Sequence, residues 1–91
     1  MAYASTSNLY MVVWQRLVEG NTSSGIEAQV LTGAGAVVGG NFVVVPGTAT
    51  VDNTDPDIAY NRSRNEHLIV WTRDDLNASV KDVWGRITTR D

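Results

Sequence analysis

The apolar residues of this chain occur in short runs that are separated by turn-forming residues. Leu9 to Trp14 is a run of six, Leu68 to Trp71 is a run of four, and Phe42 to Val45 is another run of four, closed by Pro46-Gly47. Continuous apolar runs of this length, rich in β-branched residues, are typical of strands that are covered on both faces. No apolar period of 3.6 residues continues beyond two turns, so the pattern predicts an all-β fold.

A second kind of segment alternates between apolar and polar positions. From Ile26 to Val30 every second residue is apolar, which places Glu27 and Gln29 together on the opposite face. We expect that opposite face to be half exposed. The segment from Val83 to Ile87 alternates in the same way, but its opposite face carries Trp84 and Arg86.

Together the two patterns predict seven strands and the turns between them. The strands are expected near 1–4, 8–16, 25–32, 41–46, 57–61, 66–73 and 82–89. The glycines at 33, 35, 39 and 40 indicate a hairpin between Leu31 and Phe42, because glycine is favoured in tight turns. The composition of Asp52 to Asp57 predicts a loop.

The order of these strands follows an internal repeat. Residues 1–34 can be laid over residues 58–91 without a gap at a constant offset of 57, so that Ala2-Tyr3 falls on Ala59-Tyr60 and Trp14 falls on Trp71. We therefore divide the chain into a first repeat with four strands, 1–57, and a second, truncated repeat with three, 58–91. A self-match with such a period is typical of repeat architectures, in which one unit cannot bury its apolar faces alone.

Composition narrows the classes of function. The chain has 91 residues, no cysteine and a net charge of −3, with acidic and basic residues interspersed. The lack of a basic cluster argues against nucleic-acid binding, and no apolar run approaches the roughly 20 residues that span a bilayer. Because a small chain without disulfides or metal often gains stability by association, we expect a homo-oligomer.

Three segments between Pro56 and Ile87 resemble a known family. These are Pro56-Asp57-Ile58-Ala59-Tyr60-Asn61, then Asn65 to Trp71, then Asp82 to Ile87, while Gly39 to Val44 resembles a fourth strand. The set is similar to the four-stranded antiparallel blade of bacterial β-propeller proteins, which occur as tandem arrays in large, often secreted chains. The resemblance implies an incomplete propeller in one chain, completed by oligomerisation, with a trimer or tetramer giving about six or eight blades.

The aromatic residues provide the candidate site positions. In a propeller, large rings and their apolar neighbours are expected to pack between blades, because large rings bury much area. These residues are Trp14, Trp71, Val13, Val70 and Phe42. Trp84 differs, since its counterpart in the first repeat is Glu27. We consider Trp84 and Arg86 as possible ligand-binding residues, for example for a glycan, although packing is the plainer interpretation.

Other candidate chemistry is sparse, and we expect neither an enzyme nor a cofactor. His67 is the only histidine and has no neighbouring metal-ligating partner in the sequence, so we interpret it as a structural strand residue. Asp52, Asp55 and Asp57 could supply oxygens to calcium, but their spacing does not match an EF-hand loop. Acidic residues in loops more often bond their own backbone.

The sequence thus predicts a self-assembling module that closes a propeller from several copies. The alternative function is a carbohydrate-binding, lectin-like propeller with weak repeated sites. A hydrolase has the least support, because no carboxylate recurs beside a nucleophile. The alternative fold is a seven-stranded β-sandwich, which would allow the chain to be a monomer.

Overall fold

The computed structural model describes residues 1–17, 23–48, 50–76 and 80–88. Within these ranges the chain forms seven strands and no helix, which confirms the predicted all-β class. The strands are β1 (Ala2–Ala4), β2 (Leu9–Leu17), β3 (Ser24–Thr32), β4 (Val37–Val45), β5 (Val51–Asn61), β6 (Glu66–Asp75) and β7 (Val80–Thr88). The predicted end of the last strand, Thr89, lies outside the described residues. In the same ranges there is no helix with the length and apolar character to cross a membrane.

The strands form two antiparallel sheets that follow the order of the sequence. Sheet 1 has the order β1-β2-β3-β4, and sheet 2 has the order β5-β6-β7. The counts of four and three strands are those predicted from the apolar runs. Strand β5 begins at Val51, so sheet 2 starts within the last residues of the 1–57 repeat.

The two sheets pack face to face and bury one core between them. The molecule measures 15 Å in its thinnest dimension, as expected for two layers about 10 Å apart. Sheet 1 and sheet 2 both contribute fully or almost fully buried side chains, namely Met11, Ile26, Ala28, Val30, Val44, Ile58, Ile69 and Trp71. Burial of apolar side chains from both sheets is therefore what holds them together.

The segment from Asp52 to Asp57 is part of β5, so the prediction of a loop there is wrong. Residues 51–54 pair with the end of β6, and a bulge between Thr54 and Asp57 accommodates the turn-forming residues. Asp55 in that bulge has a φ of 52°, a left-handed conformation that Asp tolerates. Pro56 has no backbone N–H, and a bulge is a place in a sheet where this missing donor is tolerated. Pairing with β6 has overridden the local preference for a turn.

The glycine-rich hairpin is shorter than predicted, and its strand is longer. The turn is confined to residues 33–36, where Gly35 N–H donates to Thr32 O over 2.8 Å. Gly39 and Gly40 lie within β4, which begins at Val37 and has a register shift against β3 between Ala28 and Val30. Gly39 has a φ of 66° at this irregularity, which explains a glycine inside a strand.

The side chains of Glu27 and Gln29 on β3 are buried, which corrects the prediction that they are half exposed. Glu27 is 7% exposed and Gln29 is 8% exposed. Arg16 on the neighbouring strand donates to both carboxylate oxygens of Glu27, at 3.0 and 2.8 Å. The Gln29 amide donates to Val30 O at 2.9 Å and to Val38 O at 3.0 Å. Both polar groups are thus bonded within sheet 1, as burial requires.

Candidate interaction surfaces

The registers of the two sheets repeat at the same offset of 57 as the sequence. Ala2 is paired with Met11 as Ala59 is with Leu68, and Tyr3 is paired with Tyr10 as Tyr60 is with His67. Likewise the pair Met11 and Val30 corresponds to Leu68 and Ile87. Equivalent residues of the two repeats therefore occupy equivalent places in their sheets, including the face to which each side chain points.

The faces that meet inside the chain are not equivalent faces of the two repeats. Sheet 1 contributes the face that contains Met11, Ile26 and Val30. Sheet 2 contributes the other face, that of His67, Ile69 and Trp71, because these residues alternate with Leu68 and Val70 along β6. The repeats are consequently stacked in the same orientation, front to back.

This front-to-back stacking leaves two faces of the chain uncovered. The open face of sheet 2 consists of the equivalents of the buried face of sheet 1, which are Ala59, Leu68, Val70, Val83, Gly85 and Ile87. The open face of sheet 1 consists of the equivalents of the buried face of sheet 2, which are Tyr3, Tyr10, Val12, Trp14, Glu27 and Gln29.

The open face of sheet 2 is apolar and accessible to solvent. Val83 is 79% exposed, Ile87 is 62% exposed and Leu68 is 45% exposed. Their equivalents Ile26, Val30 and Met11 are between 0% and 3% exposed. A contiguous apolar patch on a small chain typically marks a site of interaction with another macromolecule.

A depression of about 250 Å³ lies at the end of sheet 2 beside the β5–β6 turn. Ala59, Leu68 and Ile87 of the open face line it, together with Tyr60, Asn61, Glu66 and His67. Its walls are mostly apolar, and its shape can accept a side chain from a flat partner surface.

The open face of sheet 1 carries aromatic and aliphatic side chains around the buried Glu27 and Gln29. The rings of Tyr3 and Tyr10 are in contact at a tilt of 42° with 4.8 Å between their centroids, and Tyr3 is 43% exposed. Val12 and Trp14 are half-buried on the same face. This face offers rings and methyl groups, whereas the open face of sheet 2 offers a depression.

The five residues expected to pack between units divide into two groups. Trp71 is 4% exposed in the core between the sheets, and Val13 and Phe42 pack against that core. Trp14 and Val70 lie on the two open faces, where they are half-buried. Trp14 is paired with Glu27 in sheet 1, and Trp71 is paired with Trp84 in sheet 2, so the two pairs occupy equivalent positions in the two repeats.

Trp84 and Arg86, the candidate ligand-binding residues, lie on the face of sheet 2 that meets sheet 1. Arg86 Nη1 donates to Val44 O over 2.9 Å and thereby ties β7 to β4. Trp84 is 49% exposed, and the Arg73 guanidinium lies 4.8 Å from its ring centroid, where a cation–π contact is favourable. Neither residue lines the depression described above.

Two of the three acidic residues considered for calcium accept backbone hydrogen bonds, and the third, Asp55, accepts from Thr54 Oγ1 at 3.4 Å. Asp52 Oδ1 accepts from Ser24 N–H at 2.6 Å, and Asp57 Oδ1 accepts from Ile58 N–H at 2.8 Å. Between them, the fully buried Asn53 donates to Ser24 O at 3.1 Å. In the part of the chain that the structure describes, no three His, Cys, Asp or Glu residues are grouped so as to hold a metal ion.

His67 is buried between the sheets, with 3% of its surface exposed. Burial lowers the pKa of His67 below its usual value of 6.5, because the charged ring is poorly solvated there, and a hydrogen bond with the backbone of Ala2 partly opposes the shift. Its ring lies 5.1 Å from that of Tyr60. These contacts agree with the structural role expected from the sequence.

We expect the stability of the chain to fall when His67 can be protonated. Above pH 6.5 the histidine is neutral in both states, so its contribution is fully present. Below that value the unfolded state binds a proton first, and the free energy of unfolding decreases until the pH passes the lowered pKa of the folded state. Urea unfolding at about pH 7.5 and about pH 5.5 measures the decrease. His67→Gln is expected to be less sensitive to this change, and an unchanged sensitivity would contradict the assignment.

Comparison with protein-family models, with curated proteins and with solved structures finds no match to this chain.

Proposed function

We propose that this chain is a self-assembly module in which the open face of sheet 2 of one copy stacks on the open face of sheet 1 of the next. Each copy then supplies two blades of a β-propeller. The observation that carries the proposal is the equivalence of faces at the offset of 57. The junction between copies would use the same two kinds of face as the junction within one chain.

The contacts between the two sheets of one chain predict the contacts between sheet 2 of one copy and sheet 1 of the next. His67 lies against Ala2 inside the chain. Their equivalents are Tyr10 and Ala59, so the ring of Tyr10 from the next copy would lie over Ala59, at the depression on sheet 2. Val12 would take the place of Ile69 against Leu68. Aromatic and aliphatic groups would thus cover the methyl groups that are exposed in the single chain.

A front-to-back junction is heterologous, so it produces a ring when the rotation between successive sheets closes. Three copies would provide six sheets and four copies eight, both within the roughly four to eight blades of known propellers. A β-sandwich monomer would bury the same core, but it would leave Leu68, Val83 and Ile87 in water. The apolar character of that face favours the assembly over the sandwich.

The oligomeric mass tests the proposal. Size-exclusion chromatography with light scattering is expected to give three or four times the mass of one chain, with the value independent of concentration across a wide range. A closed ring stops growing, whereas an open stack would increase in mass with concentration. A folded chain that elutes with the mass of a single copy would contradict the proposal and favour the sandwich.

A further inference from the structure

Beside the stacked faces, the chain contains a second contact that recurs at the offset of 57. Tyr3 OH donates to Asn8 Oδ1 over 2.6 Å, and Tyr60 OH donates to Asn65 Oδ1 over the same distance. Asn8 and Asn65 have φ angles of 55° and 52°, which Asn tolerates better than most residues. Each tyrosine–asparagine pair thus joins the strand before a turn to the last residue of that turn.

Inside the chain, the first turn reaches across to the second pair. Ser7 Oγ donates to Asn65 Oδ1 over 3.1 Å, so this oxygen accepts from both Tyr60 and Ser7. A carbonyl oxygen has two lone pairs and can accept both bonds. The β1–β2 turn of sheet 1 is therefore fastened to the hairpin of sheet 2.

The equivalent donor of the second turn is Arg64, since residue 64 corresponds to residue 7. We infer that Arg64 of one copy donates to Asn8 Oδ1 of the next copy and fastens the chains together as Ser7 fastens the two sheets. The inference rests on the proposed stacking and names the polar contact within it. Asn8 Oδ1 already accepts from Tyr3, as Asn65 Oδ1 accepts from Tyr60, and keeps its second lone pair for this bond.

Two further observations direct the contact to this arginine. Thr6 N–H donates weakly to Tyr60 OH at 3.4 Å, but its equivalent, Ser63 N–H, already donates to Asn61 Oδ1 at 3.0 Å. Arg64 is exposed at the tip of the turn and carries several donors on a long side chain. The Asn8 side chain is also held in place, because it lies directly over Gly33, where a Cβ would come within 2.5 Å of Asn8 Oδ1.

A double-mutant cycle between the two residues tests the inference in the full-length chain. Arg64→Ala removes the donor, and Asn8→Gly removes the acceptor while keeping the left-handed backbone. Each variant is expected to raise the dissociation constant of the assembly about tenfold per junction, as for a hydrogen bond to a charged group. The double variant is expected to be little weaker than either single variant. Arg62→Ala, a change of the same kind on the same turn, is the matched control and is expected to leave dissociation unchanged.

The outcomes separate this inference from the proposal beneath it. Additive effects of Arg64→Ala and Asn8→Gly, or equal effects of Arg64→Ala and Arg62→Ala, would overturn the contact while leaving the stacking of sheets in place. A wild-type chain that sediments as a single copy at all concentrations would overturn both. A coupled pair with a silent control would support the contact.

Discussion

If the chains assemble as proposed, replacing Leu68 by glutamate is expected to convert the assembly into single folded chains. Leu68 lies on the middle strand of sheet 2, where it lines the depression of the open face, and its equivalent Met11 is fully buried in the junction within the chain. A carboxylate in the equivalent buried place, without a partner, costs about 3 kcal/mol or more per junction, which is roughly two orders of magnitude in the dissociation constant. Light scattering of the variant measures the change in mass directly.

The control for this variant is Leu17→Glu. Leu17 is 61% exposed at the end of β2 and belongs to neither open face. The same substitution there is expected to leave the mass of the assembly unchanged. If both variants dissociate, the effect is one of added charge and the open face is not the junction. Circular dichroism should show a β spectrum for both.

Shortening Ile69 to alanine is expected to lower the free energy of unfolding by about 3 to 4 kcal/mol. Ile69 is fully buried and neighbours Leu68 on β6, but its side chain points toward sheet 1. The loss of buried methyl groups leaves a cavity between the sheets that the surrounding strands fill only partly. Urea unfolding in the Leu68→Glu background separates this effect from association.

Val83→Ala in the same background serves as the comparison. Val83 is 79% exposed in the single chain, so its truncation is expected to change the free energy of unfolding by less than about 1 kcal/mol. Similar losses for the two variants would mean that the sheets do not pack through the face of Ile69. The contrast between residues 69 and 83 therefore tests which side of sheet 2 is the inside.

The strands that can be predicted from the sequence are those whose own pattern of apolar side chains determines the secondary structure. The continuous apolar runs in β2 and β6 need cover on both faces, and the alternation from Ile26 to Val30 needs a strand. These patterns predict the strands without knowledge of their partners. The offset of 57 also predicts that the two sheets share a register.

The parts that do not follow from the sequence depend on the partner strand. Asp52 and Asn53 favour turns locally, yet they lie in β5 because residues 51–54 pair with the end of β6 and bond to Ser24. Gly39 and Gly40 lie in β4 for a similar reason, at the bulge of that strand opposite Gln29 of β3. Local preference is a weak guide where a ladder of backbone hydrogen bonds is available.

The surfaces were only partly predictable. The repeat indicates that a single chain leaves faces uncovered, but it does not say which face meets which. The burial of Glu27 also escapes the sequence, because only the register of β2 and β3 places Arg16 diagonally across from Glu27, within reach of its carboxylate. That register, together with the position of Met11 in the core, is what identifies Leu68 and Ile87 as uncovered.

A ring built from these chains would contain two kinds of joint in alternation. The joint within each chain contains the buried His67, and the joint between chains would have Tyr10 in the equivalent place. Histidine is the only side chain whose ordinary pKa puts its change of charge between pH 5 and 8, and the single histidine of this chain is in the first kind of joint. Mild acid would therefore loosen every second joint, inside each chain, while the contacts that hold one chain to the next keep their strength.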